Sequence, residues 1–221
     1  MPTPIVPAAD GPQSLVALVV TRAGHIALLV AGPDRWREAS GYTLVPADLP
    51  GGQTLPKVSH ADAVCTIAQQ SLGCTGRILS STALYGRTAR HAIDRLDPAP
   101  GESPYLPVLR LDRLVPDEAS TVARLTAVHL SVYLTELDGH PALAPGFAGL
   151  LWLAPPALRL ALRGMPLSDL LALPGITLER ASAIELPPDA FVYVPGDFGE
   201  RQLLRVAAKY GRAALFQVTV T

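Results

Sequence analysis

Cysteine is scarce in this chain, as are charge of either sign and long unbroken apolar runs, and each shortage removes a class of function. Only Cys65 and Cys74 occur among 221 residues. They stand nine positions apart, on or just after one predicted helix, a spacing that does not place both side chains on one helical face. They read as two buried thiols, and no second Cys/His cluster exists to complete a zinc site. Charged residues make up only 17% of the chain and balance to a net charge of -1. No general attraction to nucleic acid or to an anionic membrane follows from that balance.

The longest apolar stretches, 14–20, 26–30 and 147–162, are too short to span a bilayer or are interrupted by Arg159 and the Pro155–Pro156 pair. The opening Met-Pro-Thr-Pro lacks a basic patch followed by an apolar segment, so a soluble, cytoplasmic protein without a secretory signal is expected. The histidines (His25, His60, His91, His129 and His140) show no metal-ligand spacing. Gly-x-Ser-x-Gly elbows, P-loops, dinucleotide-binding glycine patterns and internal repeats are all missing. His129 lies within an apolar strand and reads as a core or sheet-face residue rather than a base.

What remains is a chain that is 49% hydrophobic and rich in proline, with 22 of them gathered mainly at 2–12, 98–107 and 141–156. Its length suffices for one large domain or one domain with an extension. Residues 15–20 and 26–30 are β-rich runs around Gly24 and read as a hairpin. The polar connection 32–48, bearing Trp36 and Tyr42, reads as a loop ending in the glycine turn Pro50-Gly51-Gly52. From 59 to 72, Ala61, Val64, Cys65, Ala68, Ser71 and Leu72 recur at helical spacing. Ser59 and Asp62 fit a capping box, and Gly73 stands at the C′ position.

Strands are expected at 77–85, 105–111, 125–137 and 150–153, with an apolar helix from Pro155 to Leu162 and a short one at 167–173. The last segment reads as a strand at 191–194, a helix at 200–210 and a strand at 214–220. The implied layout is a Pro-rich tail over 1–13, a main domain over 14–173 and an extension over 174–221 packed on it.

The order hairpin, loop, Leu-Pro-Gly-Gly, helix, Leu-Gly, strands, Trp-bearing strand, helix resembles the Nudix hydrolase family over 15–173. Placed on Gly52, the family's box closes on Gly73 without a gap. The resemblance implies an α+β fold, an α/β/α sandwich in which a Nudix-like mixed β-sheet is flanked by helices. It also implies a magnesium- or manganese-dependent hydrolase of nucleoside diphosphates, whose carboxylates would stand at the loop position Val58, at Ile67 of the pair Thr66–Ile67, and at Gln70 and Ser71. None of these is acidic here, and hard divalent cations need charged oxygen ligands. The expectation is therefore a Nudix scaffold without standard metal-dependent hydrolysis, using no metal cofactor and serving as a nucleotide-like ligand binder or an interaction module.

Two alternatives stay open. One is an active hydrolase holding magnesium or manganese through Asp62, Glu102, Asp117, Glu118, Glu136 or Asp138. The other is a structural or regulatory homodimer. Candidate ligand contacts are Trp36 and Tyr42, which either stack on a nucleobase or cover the core edge. Arg87, Arg90 and His91 join them as a basic group near Arg95 that meets either a phosphate or its neighbours Asp94 and Asp97. Nucleic-acid and membrane partners are not expected.

Overall fold

The computed structural model describes residues 6–7, 13–54, 58–79, 81, 83–87, 93–97, 105–116, 124–154, 157–181 and 183–195. It is a mixed β-sheet with few helices. The first strands are β1 (Val6–Pro7), β2 (Gln13–Arg22) and β3 (His25–Ala31). β2 and β3 turn at Ala23 and Gly24, both at positive φ (49° and 81°), which matches the right-handed twist of a two-residue hairpin. Next come β4 (Arg37–Ala39), β5 (Tyr42–Asp48), β6 (Gly51–Gln53) and helix α1 (His60–Leu72).

Strands β7 (Thr75–Leu79), β8 (Leu84–Arg87), β9 (Ile93–Leu96), β10 (Leu109–Pro116), β11 (Arg124–Asp138) and β12 (Phe147–Leu153) follow. Short elements close the described chain: α2 (Leu158–Ala161), β13 (Met165–Pro166), α3 (Leu167–Leu171), β14 (Ile176–Arg180) and β15 (Ala190–Tyr193).

The long β11 lies parallel to β2 and antiparallel to β10 and β7. β3 runs antiparallel to β12 and β5, and β12 to β14. β2 and β3 pair only at Thr21–Ile26 and Arg22–His25. Beyond that end they splay, β2 continuing with β11 and β6 while β3 continues with β12 and β5. This divergence leaves a cleft bordered by both wings.

Both faces of β2 are buried. Val16, Leu18 and Val20 meet Ala63, Val64, Ile67, Ala68 and Leu72 of α1, together with Tyr133 and Trp152. Ala17 and Val19 face a second cluster with Leu28, Val45, Val132, Leu151, Leu158 and Leu170. The period of two along β2 thus builds two cores, with α1 on one side and the short α2 and α3 on the other. Burying side chains the size of Val64, Ile67 and Leu72 stabilises by about 1.5–3 kcal/mol each.

Several expectations change. The loop at 32–48 holds a 3-10 turn (Pro33–Arg35) and the β4–β5 hairpin, which turns at Ser40 and Gly41 with φ of 53° and 78°. Pro46 inside β5 masked the strand pattern, because proline cannot donate to a ladder. Gly51–Gly52 is no turn: it lies in β6, with Gly52 opposite Val16 and Gly51 opposite Ala17. The strand expected over 77–85 is two strands, because Ser81 closes a local turn onto Ala83 (Ser81 Oγ donates to Ala83 O, 2.6 Å). The helix expected from Pro155 shrinks to Leu158–Ala161.

Residues 6–7 of the expected tail pair with Arg124 and Leu125 of β11. β14 and β15 join the main sheet through β12 and β5. The helix and strand expected at 200–210 and 214–220 lie outside the described residues.

Candidate functional site

Helix α1 is built as its caps predict. The Ser59 hydroxyl accepts from the Asp62 N–H (3.1 Å) and stands 2.6 Å from the Asp62 carboxylate. One of the otherwise orphaned N–H groups of the first turn is thereby satisfied. At the other end Gly73 is left-handed (φ 63°) and its N–H donates to Gln69 O at 3.1 Å. A Cβ at Gly73 would stand 2.7 Å from Ala142 O, so conformation and space both require glycine there.

The box positions fall at definite places on this frame. Val58, just before the helix, is exposed. Thr66 and Gln70 point outward to solvent. Ile67 is 5% exposed and packs with the core under α1; a Cβ at Gly52 would meet its Cγ1 at 3.5 Å. Ser71, one helical turn on, is 8% exposed.

The chemistry of this donor set does not fit magnesium or manganese: two side chains are aliphatic and three offer only neutral oxygens. Among the described residues no group of three or more His, Cys, Asp and Glu comes together to hold a metal ion. Asp62 serves the helix cap, Glu136 accepts from Arg77 Nε at 2.7 Å, and Asp138 is exposed at the end of β11. Glu102, Asp117 and Glu118 lie outside the described residues.

The cleft left by the splay of β2 and β3 encloses about 320 Å³. Leu15, Leu29, Leu49, Leu130 and Phe147 form its walls, and Gly51, Gly52 and Ser71 close the side next to α1. Among the described residues its ionisable groups are Arg35 and Asp48, joined by Arg35 Nη2 donating to Asp48 Oδ2 at 2.6 Å. Burial raises the Asp48 carboxyl above its ordinary range, opposed by the hydrogen bond and charge of Arg35.

Arg35 is positioned by its turn. Gly32 N–H donates to Gly146 O at 2.9 Å, and a Cβ at Gly32 would stand 2.5 Å from that oxygen. Only glycine lets the 32–36 segment approach the turn before β12 so closely.

Sequence reasoning passed over the Arg35–Asp48 pair and the role of Ser71 as a cleft wall. An acidic residue closing an apolar strand, thirteen positions after an arginine, was the available signal. Trp36 is half-buried, packs against the larger core and donates its indole N–H to Ala31 O at 2.8 Å. Tyr42 is 40% exposed, with its ring 5.6 Å from that of Phe191. Neither lines the cleft. Arg87 lies in β8 and pairs in register with Ile93, while Arg90 and His91 lie outside the described residues.

His129 is an exposed sheet-face residue, its Nδ1 2.6 Å from Asp112 directly across the β10–β11 ladder. Cys65 is half-buried, 3.3 Å from Gly76 O, and Cys74 is buried. Burial, then the Asp138 charge, raises the Cys74 thiol.

No family model matches this chain, and no curated protein does. Solved structures similar to it include Nudix hydrolases. A Nudix hydrolase from Nitrosomonas europaea is 12% identical with a TM-score of 0.40, covering 67% of this chain and 76% of its own. An ADP-ribose pyrophosphatase from Streptococcus suis 89-1591 is 13% identical with a TM-score of 0.40, covering 89% and 91%. A MutT protein from Methanosarcina mazei Go1 is 14% identical with a TM-score of 0.41, covering 68% and 83%. Of the positions that the sequence resemblance singled out, Gly52 and Ser71 line the cleft.

Proposed function

We propose that this chain is a Nudix-type scaffold that does not carry out hydrolysis through the box carboxylates and instead binds a nucleotide-like small molecule in the cleft left by the splay of β2 and β3. One observation carries the reading: the two box positions that face inward are Ile67, sealed against Gly52, and Ser71, which presents a neutral hydroxyl to the cleft. A cation there would meet hydrocarbon and a single alcohol in place of carboxylates, too little to replace its hydration shell. The cleft itself is concave, open on one side and supplied with polar groups.

A thermal-shift panel of nucleosides, nucleotides, ADP-ribose and dinucleotides, run without metal, tests the binding. Stabilisation by at least one compound is expected, as is no magnesium-dependent release of phosphate or nucleotide. An unchanged melting temperature with every compound, or turnover that needs magnesium, overturns the reading.

A further inference from the structure

The charge and size of the cleft narrow its ligand. Among the described lining residues the ionisable groups are one arginine and one aspartate, already paired, so this part of the wall is neutral. A diphosphate brought beside Asp48 would meet a fixed negative charge with no second cation among the described lining residues. Nor do Ile67 and Ser71 provide the carboxylates that would recruit a metal to offset it. Size points the same way. At about 320 Å³ the cleft lies near the bottom of the range of small-molecule sites, roughly 300–1,000 Å³. A nucleobase or nucleoside fits such a volume.

The polar groups specify the ligand further. Arg35 uses Nη2 on Asp48 Oδ2, and the other carboxylate oxygen and the rest of the guanidinium have no partner among the described residues. Side by side they offer an acceptor and a donor, the complement of a ring edge that carries an N–H next to a ring nitrogen or carbonyl. Ser71, 8% exposed and lining the cleft, adds a third contact that can donate or accept. Leu15, Leu130 and Phe147 supply apolar surface for the faces of such a ring.

We infer that the cleft takes an uncharged planar heterocycle with adjacent hydrogen-bond donor and acceptor, a nucleobase or a nucleoside without phosphate, its edge read by the Arg35–Asp48 pair. This rests on the reading of the cleft as a ligand site and departs from it in excluding the phosphates.

The test is isothermal titration of the full chain, without metal, with adenosine, guanosine, uridine and cytidine and with their 5′-diphosphates. At least one nucleoside binds, and its diphosphate binds about tenfold more weakly or not at all. Asp48→Asn weakens the nucleoside about tenfold, as expected for loss of a charge-assisted hydrogen bond, and Ser71→Ala weakens it roughly threefold. Far-ultraviolet circular dichroism checks that each variant is folded; if Asp48→Asn does not fold, Ser71→Ala carries the test. A diphosphate that binds as tightly as its nucleoside overturns this inference and leaves the cleft a ligand site. Failure of nucleosides and diphosphates alike overturns both readings. Unchanged nucleoside affinity in the folded variants overturns the assignment to this cleft.

Discussion

Ile67→Glu would place a carboxylate at a position where the sequence resemblance implies one, and the structure predicts that the substitution damages the core without creating a metal site. Ile67 is 5% exposed and packed with Val16, Val64 and Ala68 beneath α1. Glutamate keeps part of the aliphatic stem, so the lost burial costs about 1–2 kcal/mol. The carboxylate adds roughly 2–3 kcal/mol when ionised without a partner, for a total of about 3–5 kcal/mol near neutral pH.

The sign of the pH dependence follows from burial. A buried glutamate has its folded pKa raised above the unfolded value of about 4.3. The charge penalty is therefore absent below that value and grows as pH rises toward the folded pKa, so the gap between wild type and variant is wider at about pH 7 than at about pH 4.5. Urea unfolding followed by tryptophan fluorescence measures it, since Trp152 is buried in the same cluster. Magnesium should leave the gap unchanged. A variant as stable as wild type would show that Ile67 is not packed as described, and selective rescue by magnesium would show that carboxylates at this turn can recruit a metal.

Three further outcomes are expected. Ser59→Ala removes the cap on the Asp62 N–H and lowers unfolding stability by about 1 kcal/mol in urea titration. Gly73→Ala imposes a Cβ on a left-handed residue and against Ala142 O, costing more than about 2 kcal/mol by the same titration, with a lowered melting temperature. His60, whose Nδ1 meets the buried Tyr133 hydroxyl, has its pKa lowered by burial and then by the Arg110 charge. A lowered folded pKa means that stability present above the unfolded value of about 6.5 is lost as pH falls below it. His60→Gln should flatten that part of the stability profile between about pH 7 and pH 5, and a profile identical to wild type would remove His60 from the account.

Helix α1 was legible in the chain because every signal that makes it is local. Ser59, Asp62, the 3–4 spacing of Val64, Ala68 and Leu72, and Gly73 all act within one stretch, and helical hydrogen bonds close over four residues. The β2–β3 hairpin was legible for the same reason. Strand β5 was not, because Pro46 contradicts a strand locally while its partners β3 and β15 come from distant parts of the chain. Gly51–Gly52 likewise carries the signature of a turn, and only the nearness of β2 makes it a strand.

By itself, the sequence determined that glycines stand at the spacing of the family it resembles and that no carboxylate stands between them at the matching positions: spacing and residue type need no third dimension. Only the tertiary structure decided what most of those positions became. Ser71 fell on the helical face that the spacing already marked as buried, whereas Ile67 turned inward with it and Thr66 and Gln70 turned to solvent. It also decided that Arg35 and Asp48 would meet across a cleft, because the splay of β2 from β3 and the close approach of Gly32 to Gly146 are long-range facts. Local propensity cannot encode a distance between residues whose separation is set by strands elsewhere in the sheet.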